Sequence, residues 1–341
     1  EQEINFEKNI NIFYGENAQG KTNIIEAIFL CSMGRSFRTN KDKEMILLNE
    51  SQANIEIEFE KSDRSGKIKI ELAGKKNVSI NGIKIKKLSE LLGKINIVIF
   101  TPDDINILKG TPALRRRFLD MMIGQLRPNY VYILNMYNKT LEQRNNYLRQ
   151  IRQEGKAESL LEIWDEKLVE YGNIISNYRR EFINKIIEKI NIIHKKITND
   201  NEKIDIIYTS CCENKKNYMD LLTQRRKLDI IKGYTTKGIH RDDFEVYIND
   251  KELSIYGSQG QNRTAILSLK LSELQVIHDE IEEEPILLLD DFMSELDIKR
   301  RRNFLNNINN TQVIITCAEK INFINENVDY YLYQVKKGEI I

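Results

Sequence analysis

The sequence predicts a mixed α/β protein: a strand-loop-helix unit near one end, two buried strands near the other, and between them an antiparallel β subdomain and a helical lobe. Three observations carry this. Ile10 to Tyr14 is a short apolar run followed at once by a glycine-bearing turn and then by helical spacing over residues 22–33. From Ile55 the apolar residues change to a period of two, the mark of a half-buried strand. Past Thr101-Pro102 the alternation stops, and spacings of three and four take over for about a hundred residues.

In chain order, Ile55, Ile57 and Phe59 share one face of the subdomain's first strand and Ile68, Ile70 and Leu72 one face of its second. Val78 and Ile80 belong to a third, which ends at the Asn81-Gly82 turn. Ile95 to Phe100 is an apolar strand. A helix over Pro128 to Arg152 is expected to pack antiparallel to a longer one across the Glu154-Gly155-Lys156 turn. In the longer helix Leu161, Trp164, Leu168, Tyr171, Ile175, Tyr178, Phe182, Ile186, Ile190 and Ile193 form one apolar stripe, which reads as core. At 1.5 Å per residue, residues 158–196 extend ~58 Å, enough for a projecting lobe. Phe244, Val246 and Ile248 return to strand alternation before a turn at Asn249-Asp250, and Ile286 to Leu289 and Val313 to Ile315 close the chain as buried strands. The expected organisation is therefore 1–108 and 229–341 as two parts of one domain, with 109–228 as the helical lobe.

The 341 residues carry 52 basic and 51 acidic side chains, which excludes a basic arm or an acidic tail as the main device. A hydrophobic share of 41% with four prolines fits a folded, helix-rich chain. No apolar run approaches the ~20 residues of a membrane span. The start, Glu1-Gln2-Glu3-Ile4-Asn5-Phe6, lacks the basic and apolar regions of a secretion signal, so the expectation is a cytoplasmic protein without membrane contact. Cys31, Cys211, Cys212 and Cys317 show no CxxC spacing and His194, His240 and His278 are scattered, so reduced thiols and no zinc are expected.

Gly15-Glu16-Asn17-Ala18-Gln19-Gly20-Lys21-Thr22 satisfies every position of the phosphate-binding loop pattern, between a strand and a helix that continues through Asn23. Glycines let backbone N–H groups turn inward on a polyphosphate, and the helix N-terminus adds positive potential. Lys21 reaches the terminal phosphates and Thr22 ligates Mg²⁺. The acidic strand end Pro285-Ile286-Leu287-Leu288-Leu289-Asp290-Asp291 supplies a metal carboxylate, Asp290, and a second acid, Asp291, placed to orient the attacking water. Thr316, at the end of the last buried strand, offers a hydroxyl to a γ-phosphate. Ser294-Glu295-Leu296-Asp297 reads as a helix cap.

Ser258-Gln259-Gly260-Gln261-Asn262-Arg263 precedes an expected amphipathic helix containing Ala265, Ile266, Leu269, Leu274 and Ile277. Ser258, Gln259, Gly260 and Gln261 at that helix start make a second anion site. One nucleotide does not need two such sites in one chain, whereas two chains facing head to tail do. Each nucleotide is then held between the Lys21 loop of one copy and the Ser258 loop of the other.

In their order, GENAQGKTN, SQGQNRTAILSLKLSE and PILLLDDFMSELD resemble the RecF family of bacterial recombination-repair ATPases, within the wider ABC and structural-maintenance-of-chromosomes class. Further matches are Gly34-Arg35-Ser36-Phe37-Arg38, Phe100-Thr101-Pro102-Asp103-Asp104 through Arg115-Arg116-Arg117-Phe118-Leu119-Asp120, and Gly238-Ile239-His240-Arg241-Asp242-Asp243. The resemblance implies an ABC-type P-loop ATPase head with an antiparallel β subdomain and an inserted helical lobe. It also implies ATP and Mg²⁺ as cofactors and ATP-dependent dimerisation. Its expected partners are gapped, single- and double-stranded DNA together with the RecR and RecO mediators. By that likeness Lys21 and Thr22 bind phosphate and Mg²⁺, Asp290 the metal, Asp291 the water, and Ser258 with Gly260 the partner copy's nucleotide. The family opens with a further strand and an arginine-asparagine-aromatic segment, which places part of the nucleotide pocket ahead of Glu1. Asn262 stands where a second glutamine is common and Ile239 where proline is common. Asp291 is one methylene shorter than the glutamate of ABC transporters and no histidine follows Val313-Ile314-Ile315-Thr316-Cys317, so slow hydrolysis, a switch more than a motor, is expected.

With a net charge of +1, affinity for DNA has to come from local clusters. Arg115-Arg116-Arg117 and Arg225-Arg226-Lys227 are the candidates, followed by Lys299-Arg300-Arg301-Arg302 and by Arg35 and Arg38 near the loop. Adjacent residues point around a helix, so at most two of the Arg115 cluster face one ligand. His240 is expected to be a satisfied loop histidine. The competing readings are an ATP-binding subunit of an ABC transporter and another SMC-like ATPase. The 269 residues from Lys21 to Asp290 exceed what a compact transporter subunit needs, and the excess is the helical lobe.

Overall fold

The apolar run becomes strand β1 (Ile10–Tyr14) and the residues after the glycine turn become helix α1 (Lys21–Met33). The computed structural model describes residues 2–199, 201–292, 304, 308, 311–320 and 329–341. Next come β2 (Ala53–Glu60), β3 (Ser65–Ala73), β4 (Lys75–Ile80) and β5 (Ile83–Lys84). They form the expected antiparallel sheet, in the order β2-β3-β4-β5. Ile68, Ile70, Leu72 and Val78 are buried on one face. Asn81 and Gly82 both adopt positive φ (51° and 79°), the requirement of the two-residue hairpin turn read from the sequence. Strand β6 (Ile97–Phe100) follows, and the helical stretch opens with α2 (Ile105–Lys109), α3 (Pro112–Leu126), α4 (Pro128–Glu154) and α5 (Leu161–Thr198). After it come β7 (Ile204–Thr209), α6 (Lys215–Lys232), β8 (Asp243–Ile248), β9 (Lys251–Glu252), α7 (Leu253–Tyr256) and α8 (Gln259–Ile281). The chain ends with β10 (Ile286–Asp290), β11 (Val313–Cys317), β12 (Tyr330–Lys336) and β13 (Glu339–Ile340).

Two compact units result. The first comprises Glu1–Ile105, Ile192–Asn201 and Gln259–Ile341; the second comprises Asn106–Asn191 and Glu202–Ser258. The core of the first is a six-stranded sheet in the order β13-β12-β1-β11-β10-β6, parallel throughout except for the β12-β13 pair. Its strands β10 and β11 begin as continuous apolar runs, Ile286 to Leu289 and Val313 to Ile315, as a sheet covered on both faces requires, and reach polar residues only at their carboxyl ends. The last turns of α5 belong to this unit, where His194 Nδ1 meets Ser268 Oγ of α8 at 2.9 Å.

In the second unit α4 and α5 meet across Gly155, which caps α4 in the left-handed conformation (φ 67°), and Tyr147 packs on Trp164 with ring centroids 4.8 Å apart. Its charged interior is equally ordered. Arg144, fully buried, donates to Asp165 Oδ1 at 2.6 Å, to Asp229 Oδ2 at 2.8 Å and to Thr235 Oγ1 at 2.7 Å. Arg179 donates to Asp120 Oδ1 at 2.9 Å and to the Ile239 carbonyl at 2.8 Å, beside Asp242, whose Oδ2 accepts from Tyr208 at 2.7 Å.

Several expectations change. The chain does not close at Val313–Ile315, because β12 and β13 extend the parallel sheet beyond β1. β7 falls within the expected helical lobe and pairs antiparallel with β8, and residues 229–258 pack in the second unit rather than with the C-terminal part of the first. α8 is buried around most of its circumference, from Thr264 to Glu273 without a break, rather than along one stripe. Ser294 to Asp297 and Lys299 to Arg302 lie outside the described residues. Among the described residues, no helix is long and apolar enough to cross a membrane.

Candidate functional site

Three parallel strands of the first unit end side by side. Phe13 of β1 and Asp290 of β10 both register with Thr316 of β11, so the turn after Tyr14 and the acids after Leu289 leave the same edge of the sheet. The carboxyl edge of a parallel sheet is where such folds bind ligands.

The loop that leaves β1 can take its shape only because of its glycines. A Cβ on Gly15 would stand 2.3 Å from the Val335 carbonyl oxygen, so the backbones could not approach as they do. Gly20 sits at φ 94° as the N-cap of α1, with no side chain capping that end. The start of the helix is thus left without a side-chain acceptor, a place where an anion would satisfy its first N–H groups. Lys21, nearly buried, folds back over the loop and donates from Nζ to the Gly15 and Glu16 carbonyls at 2.6 and 2.7 Å. Both partners are neutral.

Beside it, Thr22 Oγ1 donates to Asp290 Oδ1 at 2.9 Å. Thr316, expected as a γ-phosphate contact, is instead 1% exposed: its hydroxyl donates to Asp290 Oδ1 at 2.7 Å and accepts from the Asp291 N–H at 3.1 Å. It braces the two acids from below because the parallel register sets it directly beside Asp290. Asp291 is held at φ 50°, a left-handed conformation sparsely used by residues other than glycine, with its N–H also bonded to the Thr316 carbonyl at 3.1 Å. The Arg38 guanidinium reaches α1 at Glu26 Oε2 (3.0 Å) and Asn23 Oδ1 (3.2 Å), one turn along from Lys21.

Ser258 is exposed immediately before α8, with Gln259 and Gly260 in its first turn. Two large apolar side chains precede it in the open, Ile255 at 66% and Tyr256 at 69% exposure. The basic clusters divide differently from their reading in sequence. Arg115 is buried and grips Asp243 with two bonds of 2.6 and 2.9 Å, and Arg226 donates to Asp165 Oδ2 at 2.8 Å. Both guanidiniums are already paired with a carboxylate, a correction the ion pairs impose on their reading as free surface cations. Arg116 gives one bond to the Asp242 carbonyl at 2.7 Å and Arg117 is half-buried. Arg225 and Lys227 are exposed. Sequence reasoning missed a further group at the ends of α4 and α6: Arg149, Arg152 and Lys232 are exposed, and Arg152 Nη1 donates to the Ile231 carbonyl at 3.2 Å. His240 is satisfied as expected, by Tyr137 Oη at 2.8 Å and the Thr235 carbonyl at 3.1 Å.

The chain matches the RecF/RecN/SMC N terminal domain family over residues 1–340. It is 44% identical to the DNA replication and repair protein RecF of Acetivibrio thermocellus over 344 residues, covering 98% of this chain and 93% of that protein. Among solved structures it is similar to the recombination mediator protein RecF of the RecFOR pathway described as RecF-ATP, with a TM-score of 0.93, 38% identity, and coverage of 100% of this chain and 93% of that one. The RecF-ATPrS structure of that pathway matches at a TM-score of 0.92 with 38% identity, covering 99% and 93%.

Proposed function

Because this chain belongs to the RecF family within the RecF/RecN/SMC class, we propose that it is an ATP-dependent DNA-binding protein of replication and recombinational repair. In this reading it dimerises on ATP, binds gapped, single- or double-stranded DNA, and works with RecR and RecO. The observation that carries the reading is Lys21 resting on two neutral carbonyls beside the Thr22–Asp290 pair, at the carboxyl edge of the parallel sheet. A triphosphate arriving there displaces only carbonyl contacts from the ammonium and gains charge-assisted ones. The loop backbone from Gly15 to Gly20 with Thr22 and Asn23 holds the phosphates, and Lys21 bonds the terminal ones.

Thr22 Oγ1 and Asp290 Oδ1 are hard oxygen donors 2.9 Å apart, which fits Mg²⁺, an ion held by one or two protein oxygens together with substrate phosphates and water. Bound there, Mg²⁺ neutralises charge that develops on the transferred phosphoryl group. Asp291, one methylene shorter than a glutamate, orients the attacking water in a slow, DNA-stimulated hydrolysis that resets a switch. Ser258, Gln259, Gly260 and Gln261 meet the nucleotide of a second copy. The exposed Ile255 and Tyr256, shortly before Ser258 in the chain, suit a surface that a second copy covers.

For DNA, the surface cations Arg225, Lys227, Arg149, Arg152 and Lys232 replace Arg115 and Arg226 as the phosphate contacts. The testing experiment is fluorescence anisotropy of a gapped duplex, titrated with the protein at several salt concentrations with and without ATP. The expected result is tighter binding with ATP and an affinity that falls linearly with the logarithm of salt. Binding that ignores both nucleotide and salt overturns the reading.

A further inference from the structure

The C-terminal hairpin is built directly onto the phosphate loop. Gln19 occupies a position the loop pattern leaves open. Its Oε1 accepts from the Lys337 N–H at 2.5 Å, and its carbonyl accepts from the Gly338 N–H at 3.0 Å. Lys337 and Gly338 are the two residues joining β12 to β13, both at positive φ (53° and 81°), as a two-residue hairpin turn of this hand requires. The same hairpin meets both ends of the loop: Val335 O closes on Gly15, and Gly338 Cα lies 3.4 Å from the place a Cβ on Gly20 would take. The turn is itself latched. The Gln2 amide, oriented so that both its groups are satisfied, donates to the Gly338 carbonyl at 3.0 Å and accepts from the Ile340 N–H at 2.7 Å.

Ala18 within the loop stands at φ 63°, a left-handed conformation that a residue other than glycine keeps only where the surroundings hold it. We propose that the Lys337-Gly338 turn is a clamp that keeps the phosphate loop in its anion-binding shape before nucleotide arrives, with Gln19 as the positioning residue. The inference rests on the reading of the loop as a triphosphate site and adds what preorganises it. A clamped loop spends less of the binding energy on ordering itself, so loss of the clamp weakens nucleotide binding while Lys21 stays intact.

The test is the ATP affinity of the full chain by titration calorimetry, together with amide exchange at Lys337 and Gly338. Gln19→Ala removes the side-chain acceptor and is expected to raise the Kd for ATP about five- to tenfold and to speed exchange at Lys337. Gln19→Met, which keeps the stem and lacks the acceptor, carries the same test should the alanine variant fold poorly. Lys337→Ala keeps its N–H and is expected to bind ATP like the parent. Parental affinity in Gln19→Ala, alongside lost affinity in Lys21→Ala, overturns the clamp and leaves the triphosphate reading standing. Parental affinity in Lys21→Ala overturns that reading first. A loss in Lys337→Ala equal to that in Gln19→Ala overturns the backbone contact as the cause.

Discussion

Lys21 in the first unit and Arg144 in the second are both cations removed from solvent, and their partners differ in kind. Lys21 rests on the carbonyls of Gly15 and Glu16. Arg144 is matched by Asp165 and Asp229, Arg179 by Asp120 and Arg115 by Asp243. A cation on neutral oxygens keeps its charge for a ligand, whereas one paired with carboxylates has already been neutralised and serves the architecture. Removing one member of a buried ion pair strands the other, which makes such pairs costly to break even where their net contribution is small. The contrast therefore separates function from scaffold by the partner of a charge, not by the charge.

Four measurements test whether the partner of a charge marks its role. The largest effect is expected from Arg144→Ala, which leaves the buried Asp229 without its cation and Asp165 with Arg226 alone, and lowers the unfolding free energy by about 3–5 kcal/mol in a urea titration. A loss under about 1 kcal/mol would show that the pair is not the scaffold it is taken for. Lys21→Ala is expected to do the opposite: ATP affinity falls at least about a hundredfold in calorimetry, while stability without nucleotide shifts by less than about 1 kcal/mol.

Next is pH. Burial pushes His240 down from 6.5 to about 4, with Arg241 and Arg116 acting the same way against the Thr235 carbonyl and Asp229. The unfolded chain takes up a proton below pH 6.5 that the folded one refuses until about pH 4. Stability is thus full above pH 6.5, falls as pH drops through that window, and loses roughly 3 kcal/mol in all. Thermal melts of His240→Gln should lack that part of the slope; an unchanged slope would assign the loss to other groups. The smallest effect is expected from Arg225→Ala with Lys227→Ala, which should reduce the slope of log affinity for DNA against log salt by about 2, roughly one per phosphate contact. Arg115→Ala should leave that slope alone, because its guanidinium is spent on Asp243.

The parts legible in sequence were those dictated locally. The loop from Gly15 to Thr22 requires particular residues at particular steps of a single turn, and β1, α1 and the Asn81-Gly82 hairpin follow from spacing within a few residues. What sequence reading missed depends on partners far along the chain. Arg115 reads as a surface cation until Asp243, 128 residues away, is brought against it. Thr316 reads as a phosphate contact until the register of β10 and β11 sets it beside Asp290. β12 was unreadable because it alternates neither cleanly nor continuously: Val335 is its one buried residue, and its place is set by parallel pairing with β1. The Gly238 to Asp243 motif also proved architectural, since Ile239, Asp242 and Asp243 hold Arg179, Tyr208 and Arg115.

Sedimentation velocity over a range of protein concentrations, with and without Mg²⁺ and ATP, tests most directly whether two copies share the nucleotide. Single copies are expected without nucleotide and dimers with ATP, and a Ser258→Arg variant is expected to bind ATP yet stay single. A parent chain that holds ATP tightly and still sediments as one copy at every concentration would contradict a shared nucleotide.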